Sequence, residues 1–60
     1  MQARLEFELE TLREMLKASI EVLEEIEKMP SGLTRYGRGY RDSCRDVLKI
    51  VDRILKEVSE

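Results

Sequence analysis

Met29-Pro-Ser-Gly-Leu-Thr-Arg-Tyr-Gly-Arg-Gly-Tyr40 holds the only proline and all three glycines of a 60-residue chain, and its reading decides the fold. Proline offers no amide to a helical ladder and disfavours the α conformation in the residue before it, so Pro30 ends any helix that reaches Met29. On the N-terminal side, Leu5, Leu9, Leu12, Leu16, Ser19, Leu23 and Ile26 step by alternating four and three residues. That spacing is a heptad seam. The segment is filled with Leu, Glu, Lys, Met and Ala, strong helix formers, and its period excludes a strand. Glu6, Glu8 and Glu10 suit the positive end of a helix dipole. On the C-terminal side, Gly37, Tyr40, Cys44, Val47, Val51, Ile54 and Val58 repeat in the same way. The reading is all-α: a helix over about 3–29, a turn over about 30–34 capped by Ser31 or Thr34, and a helix over about 35–58. A connection this short forces the helices antiparallel. Gly37 falls on the seam, where a missing side chain would let a neighbouring backbone approach closely.

Size limits what such a hairpin does alone. A 60-residue chain buries only about 60% of the surface its unfolded form exposes, and cores this small usually need a staple. The single cysteine, Cys44, forms no internal disulfide, and with no histidine the usual zinc spacings cannot be assembled. Cys44 occupies a seam position and reads as a small core hydrophobe. No apolar run approaches the ~20 residues of a membrane span, and acid appears too early for a secretory signal. A soluble protein of the reducing cytoplasm is expected, with no cofactor, no metal and no membrane partner.

Oligomerisation is the staple that remains. The apolar surface is wider than one seam: the first helix adds Met15, Val22 and Met29 on one side and Ile20 on the other, and the second adds Leu48 and Leu55, and Tyr36 and Ile50. Three to four apolar positions per two turns is the stripe of a bundle helix. A homodimer of hairpins forming a four-helix bundle satisfies it, with Leu9, Leu12, Leu16, Leu23, Ile26, Tyr40, Val47, Val51 and Ile54 in the dimer core.

Charge is unevenly distributed. Residues 1–29 hold four basic and eight acidic groups, net −4, and residues 30–60 hold seven and five, net +2. Antiparallel folding brings the Glu21–Glu27 end near Arg35, Arg38, Arg41 and Arg45, so cross-helix pairing is expected, with more effect on specificity than on stability. An alternative use of the same stretch is a nucleic-acid patch, with Arg35, Arg38, Arg41 and Arg45 for phosphate and Tyr36 for stacking on an unpaired base. A pI near 5.2 argues against it. Catalysis is not expected. Histidine is absent, no Walker loop or Gly-x-Ser-x-Gly occurs, and Glu21-x-x-Glu24 has no Glu-x-x-Asp on the second helix to match it. In that respect the chain departs from the all-helical nucleotide pyrophosphohydrolases of the MazG type. In architecture alone the expected bundle resembles the small plasmid-encoded RNA-binding hairpins of the Rop type.

Tyr36-Gly-Arg-Gly-Tyr-Arg-Asp-Ser-Cys-Arg-Asp-Val-Leu-Lys-Ile-Val51 resembles the aromatic, glycine, aromatic, Asp, small-residue, Val-x-x-Ile pattern of short uncharacterised helical proteins of phages, prophages and archaea. The resemblance covers the second helix, implies a viral or mobile-element origin, and brings no activity with it. Function is therefore read as a noncatalytic protein–protein interaction or structural module. Phe7 breaks the first helix's pattern by lying on its far side, among Ala3, Glu10, Thr11 and Glu14, and is the candidate anchor for a further protein partner.

Overall fold

A computed structural model describes the backbone of residues 2–59 and the side chains of residues 3–58. Two helices, α1 (Gln2–Glu27) and α2 (Arg35–Ser59), pack along their length as an antiparallel hairpin measuring 46 × 14 × 14 Å. No strand occurs among the described residues.

The turn follows from local chemistry. The ladder of α1 closes with Lys28 N donating to the carbonyls of Glu24 and Glu25 at 3.3 and 3.2 Å, and Met29 N donating to Ile26 O at 3.0 Å. The helix thus tightens and stops at Glu27, two residues short of Met29, because Pro30 bars the α conformation at its predecessor. Gly32 N then donates to Met29 O at 2.9 Å, closing a β-turn with Pro30 at its second position. Among the described residues only Gly32 has positive φ, 65°, so Ser31 keeps a negative φ and the turn is type I, which favours proline second and glycine fourth.

Thr34 starts α2. Its hydroxyl accepts a hydrogen bond from Gly37 N at 3.0 Å, and its carbonyl accepts one from Arg38 N at 3.0 Å, an N-cap. This start places Gly37 and Gly39 within the first turns. A Cβ on Gly37 would meet Leu33 Cδ2 at 3.2 Å and the Thr34 hydroxyl at 3.4 Å. The close approach expected at Gly37 therefore comes from the residues that lead into the helix, not from a neighbouring backbone. At the other end, Lys56 lies in the last turn of α2, where a cation complements the helix dipole, whereas the glutamates of α1 begin only at Glu6, past its first turn.

Only Ile20, Cys44 and Val51 are buried among the described side chains. Around them the less exposed residues trace the contact between the helices: Leu9, Arg13, Leu16, Ile20 and Leu23 on α1, and Gly37, Arg41, Cys44, Leu48, Val51, Leu55 and Val58 on α2. Two arginines thus occupy contact positions. Long side chains carry their charge outward while their stems cover the core. Arg13 Nε lies 2.8 Å from Asp52 Oδ1, an ion pair out of line for a hydrogen bond. Arg41, its side chain 12% exposed, pairs with Glu27 at 2.5 Å, and Arg45 Nη2 donates to Glu24 Oε2 at 3.0 Å. The hydrogen bond to Glu27 raises the Arg41 pKa further above its already alkaline range, against a smaller opposing effect of burial.

Candidate interaction face

The heptad seam legible in the sequence and the contact observed between the helices do not coincide. At about 100° per residue, the line through Leu5, Leu12, Ser19 and Ile26 is rotated by roughly 50° or more from the line of α1 that faces α2, and the seam of α2 is offset by a similar amount. Leu5, Leu12, Tyr40, Val47 and Ile54, all seam residues, are consequently exposed in the hairpin. Beyond them lie Met15 and Val22 of α1, Met29 just past its end, and Tyr36 and Ile50 of α2, also exposed.

These residues form one surface. In both helices the exposed stripe is displaced from the contact line in the same rotational sense, which for antiparallel helices means the same side of the pair. A shallow groove joins them, lined by Ala18, Ser19, Val22 and Leu23 from α1 and Tyr40 from α2. Tyr36 and Tyr40 stack with ring centroids 6.5 Å apart and planes at 26°, so the aromatic end of the face is ordered by its own contacts. The hairpin as a whole is amphipathic. The three cross-helix pairs Arg13–Asp52, Arg41–Glu27 and Arg45–Glu24 border the contact, and on the apolar side the close charged pair is Arg4–Glu8, with Nε 3.3 Å from Oε1, near the N-terminus.

Of the four arginines near the turn, Arg41 and Arg45 are engaged with α1. Arg35 and Arg38 have no carboxylate within 4.0 Å among the described residues, and Tyr36 between them is 82% exposed. Phe7 is 69% exposed on the outer side of α1, over a shallow depression formed with Glu10, Thr11, Glu14, Met15 and Ala18. Its carbonyl accepts a hydrogen bond from the Thr11 hydroxyl at 2.9 Å. Glu24 is held by Arg45, and Asp42 lies 3.4 Å from Arg41. Among the described residues no three Cys, Asp or Glu side chains come together as a metal site, and no helix is long and apolar enough to cross a membrane.

The cross-helix pairing expected at the Glu21–Glu27 end is found for Arg41 and Arg45, whereas sequence reasoning missed Arg13, and missed that Arg41 occupies a position in the helix contact itself. The signal was present: each has a carboxylate at the matching height on the other helix, Asp52 for Arg13 and Glu27 for Arg41. No protein-family model, curated protein or solved structure matches the chain.

Proposed function

We propose that the protein is a noncatalytic interaction module of the reducing cytoplasm that works as a homodimer, two hairpins closing their apolar faces into a four-helix bundle. The observation that carries this reading is area. The hairpin exposes 4944 Å², against the ~4,100 Å² expected of a compact monomer of this mass, an excess of about 850 Å². A specific interface takes about 800 Å² from each partner. The face that would be covered carries the exposed side chains of Leu5, Leu12, Met15, Val22, Tyr36, Tyr40, Val47, Ile50 and Ile54. The offset of the heptad seam supports the same reading. A line midway between the hairpin contact and the exposed stripe is the line that points at the centre of a four-helix bundle.

Light scattering after size exclusion tests it: a mass of about 14 kDa is expected, twice the 7.1 kDa of the chain. A helical, cooperatively melting particle of 7.1 kDa at micromolar concentration would overturn it.

One observation favours a second reading, a small RNA- or DNA-binding regulator: Arg35 and Arg38, without carboxylate partners among the described residues, flank the exposed Tyr36. It is the weaker of the two, because the other two arginines of the patch are paired and the net charge is −2. A native-gel shift with single-stranded and duplex nucleic acid at low salt, lost in Arg35→Ala and Arg38→Ala, would establish it. No shift would exclude it.

A further inference from the structure

Going round α1 away from its contact with α2, the stripe assigned to the second copy gives way to a further apolar strip on the back of the helix. At about 100° per residue, Phe7, Thr11 and Ala18 lie roughly 160° or more from the line of α1 that faces α2. Met15 and Val22 form the near edge of the strip, at the rim of the dimer face, and Met29 continues it past the helix end. Phe7, Met15, Val22 and Met29 are 55–69% exposed, whereas no seam residue exceeds 50%. We propose that this strip is a docking site for a basic amphipathic helix of another protein. It lies behind the face assigned to the second copy, so it goes beyond the homodimeric reading and does not depend on it.

Shape favours a helix. The strip steps through Phe7, Thr11, Met15, Ala18 and Val22 by four, four, three and four residues, the spacing along which a second helix lies. Two shallow depressions, one beside Phe7 and Thr11 and the other beside Val22 and Met29, meet at Ala18, and neither is lined by any residue of α2. The small side chain of Ala18 lets a large residue of the partner approach the backbone at the middle of the strip. From Phe7 to Val22 the strip runs about 22 Å, at about 1.5 Å per residue, the length of roughly four helical turns.

Charge decides which kind of helix. The far edge of the strip carries Glu10, Glu14, Glu21 and Glu25 against Lys17 and Lys28, 2 − 4 = −2. Lys17 Nζ lies 4.0 Å from Glu14 Oε1 and Lys28 Nζ 3.3 Å from Glu25 Oε1, while Glu10 and Glu21 have no cation within 4.0 Å among the described residues. An apolar floor with an acidic edge is complementary to a helix whose apolar side is flanked by Lys or Arg, and Phe7 is the large rigid ring that anchors it. The same edge repels the phosphates of nucleic acid and of anionic lipid. A second copy of the chain is a poor occupant. Its α1 brings the same acidic row, and the outer side of its α2 carries Arg35, Asp42, Asp46, Arg53 and Glu57 with no apolar strip.

The test uses the full chain and a fluorescent peptide of about 18 residues with Leu at heptad a and d positions and Lys elsewhere, beside a counterpart with Glu in place of Lys. Fluorescence anisotropy should show the Lys peptide binding, more weakly as salt rises, and the Glu peptide not binding. Phe7→Ala should lower the affinity by about tenfold or more. Glu10→Gln with Glu21→Gln should lower it at low salt and change it little at high salt. On titration the amide resonances of Phe7, Thr11, Ala18 and Val22 should shift. Equal binding of the Glu peptide, or no binding of either, overturns the proposal. So does binding that survives Phe7→Ala with shifts at Tyr40 and Val47, which puts the peptide on the face assigned to the second copy. A dimeric mass that falls in Phe7→Ala without peptide overturns it as well, because the second copy then covers the strip. A monomeric mass with the peptide held at Phe7 overturns the homodimer and upholds the docking site.

Discussion

Two glycines near the start of α2 make a sharp test of the geometry, because helix propensity treats them alike and their surroundings do not. A Cβ built on Gly39 has no atom within 4 Å. Gly39→Ala therefore gains the propensity difference without a steric cost, about 0.8–1.0 kcal/mol per chain. For a domain of this size each kcal/mol moves the melting temperature by roughly 4–8 °C, so a rise of several degrees is expected in a thermal melt followed by circular dichroism. Gly37→Ala brings the same intrinsic gain, but its Cβ would sit 3.2 Å from Leu33 Cδ2 and 3.4 Å from the Thr34 hydroxyl that accepts the capping bond from Gly37 N. The flexible Leu33 side chain must give way and the cap must adjust, which offsets part of the gain, so the rise should be distinctly smaller. Gly37→Leu extends the series past what Leu33 can accommodate. Overpacking of this kind typically costs about 1–3 kcal/mol, more than the propensity gained, and the melt should fall. The order Gly39→Ala, then Gly37→Ala, then Gly37→Leu, from highest to lowest melting temperature, is the prediction. A melt lowered by Gly39→Ala would refute the reasoning, since it would mean that something fills the space that the hairpin leaves open beside Gly39.

Other substitutions separate the hairpin's own core from the face. Val51 is 3% exposed, so Val51→Asp places a carboxylate where it must stay charged in the core or shift its pKa at a cost of several kcal/mol, and helical circular dichroism should be lost. Leu16→Asp, at the half-buried helix contact, should do the same. Ile54 is 36% exposed in the hairpin, so Ile54→Asp harms little within one copy yet should abolish the 14 kDa species, about twice 7.1 kDa; an unchanged mass would place Ile54 outside any interface. Phe7→Ala should leave mass and helicity intact, because Phe7 is 69% exposed on the outer side of α1. If it dissolved the dimer, the interface would extend around α1 to its outer side.

Local chemistry made the turn legible. Pro30, Gly32 and Thr34 each do what their residue type does best, ending a helix, closing a tight turn and capping the next helix. Heptad spacing made the two helices legible, since the period depends only on which residues avoid water, and the short connection made their antiparallel direction legible. The angular position of the contact was not legible. A stripe broad enough for two neighbours has no internal mark showing which half faces the sequence-adjacent helix, and the mean of the two halves is what a heptad count finds. Ile20, Leu48 and Leu55 consequently read as flanks of the seam although they pack in the hairpin, and Leu12, Val47 and Ile54 read as its centre although the hairpin leaves them exposed. Arg13 and Arg41 were obscured in another way. Hydropathy counts a residue whole, whereas an arginine at a helix contact contributes an apolar stem to one environment and a guanidinium to another. The area that identifies the candidate face was out of reach of the sequence, because exposure depends on how much of the apolar surface the two helices cover for each other.

A core of three buried side chains among the described residues has a consequence for dosage. When a second copy supplies the rest of the interior, folding and association become one equilibrium, and the folded fraction depends on how many chains are present. The melting temperature should then climb with protein concentration. At low expression the chain would spend much of its time open and accessible to proteases; above a threshold it would accumulate as a protected particle. Such a protein responds steeply to its own abundance, with no ligand or modification needed to set the threshold.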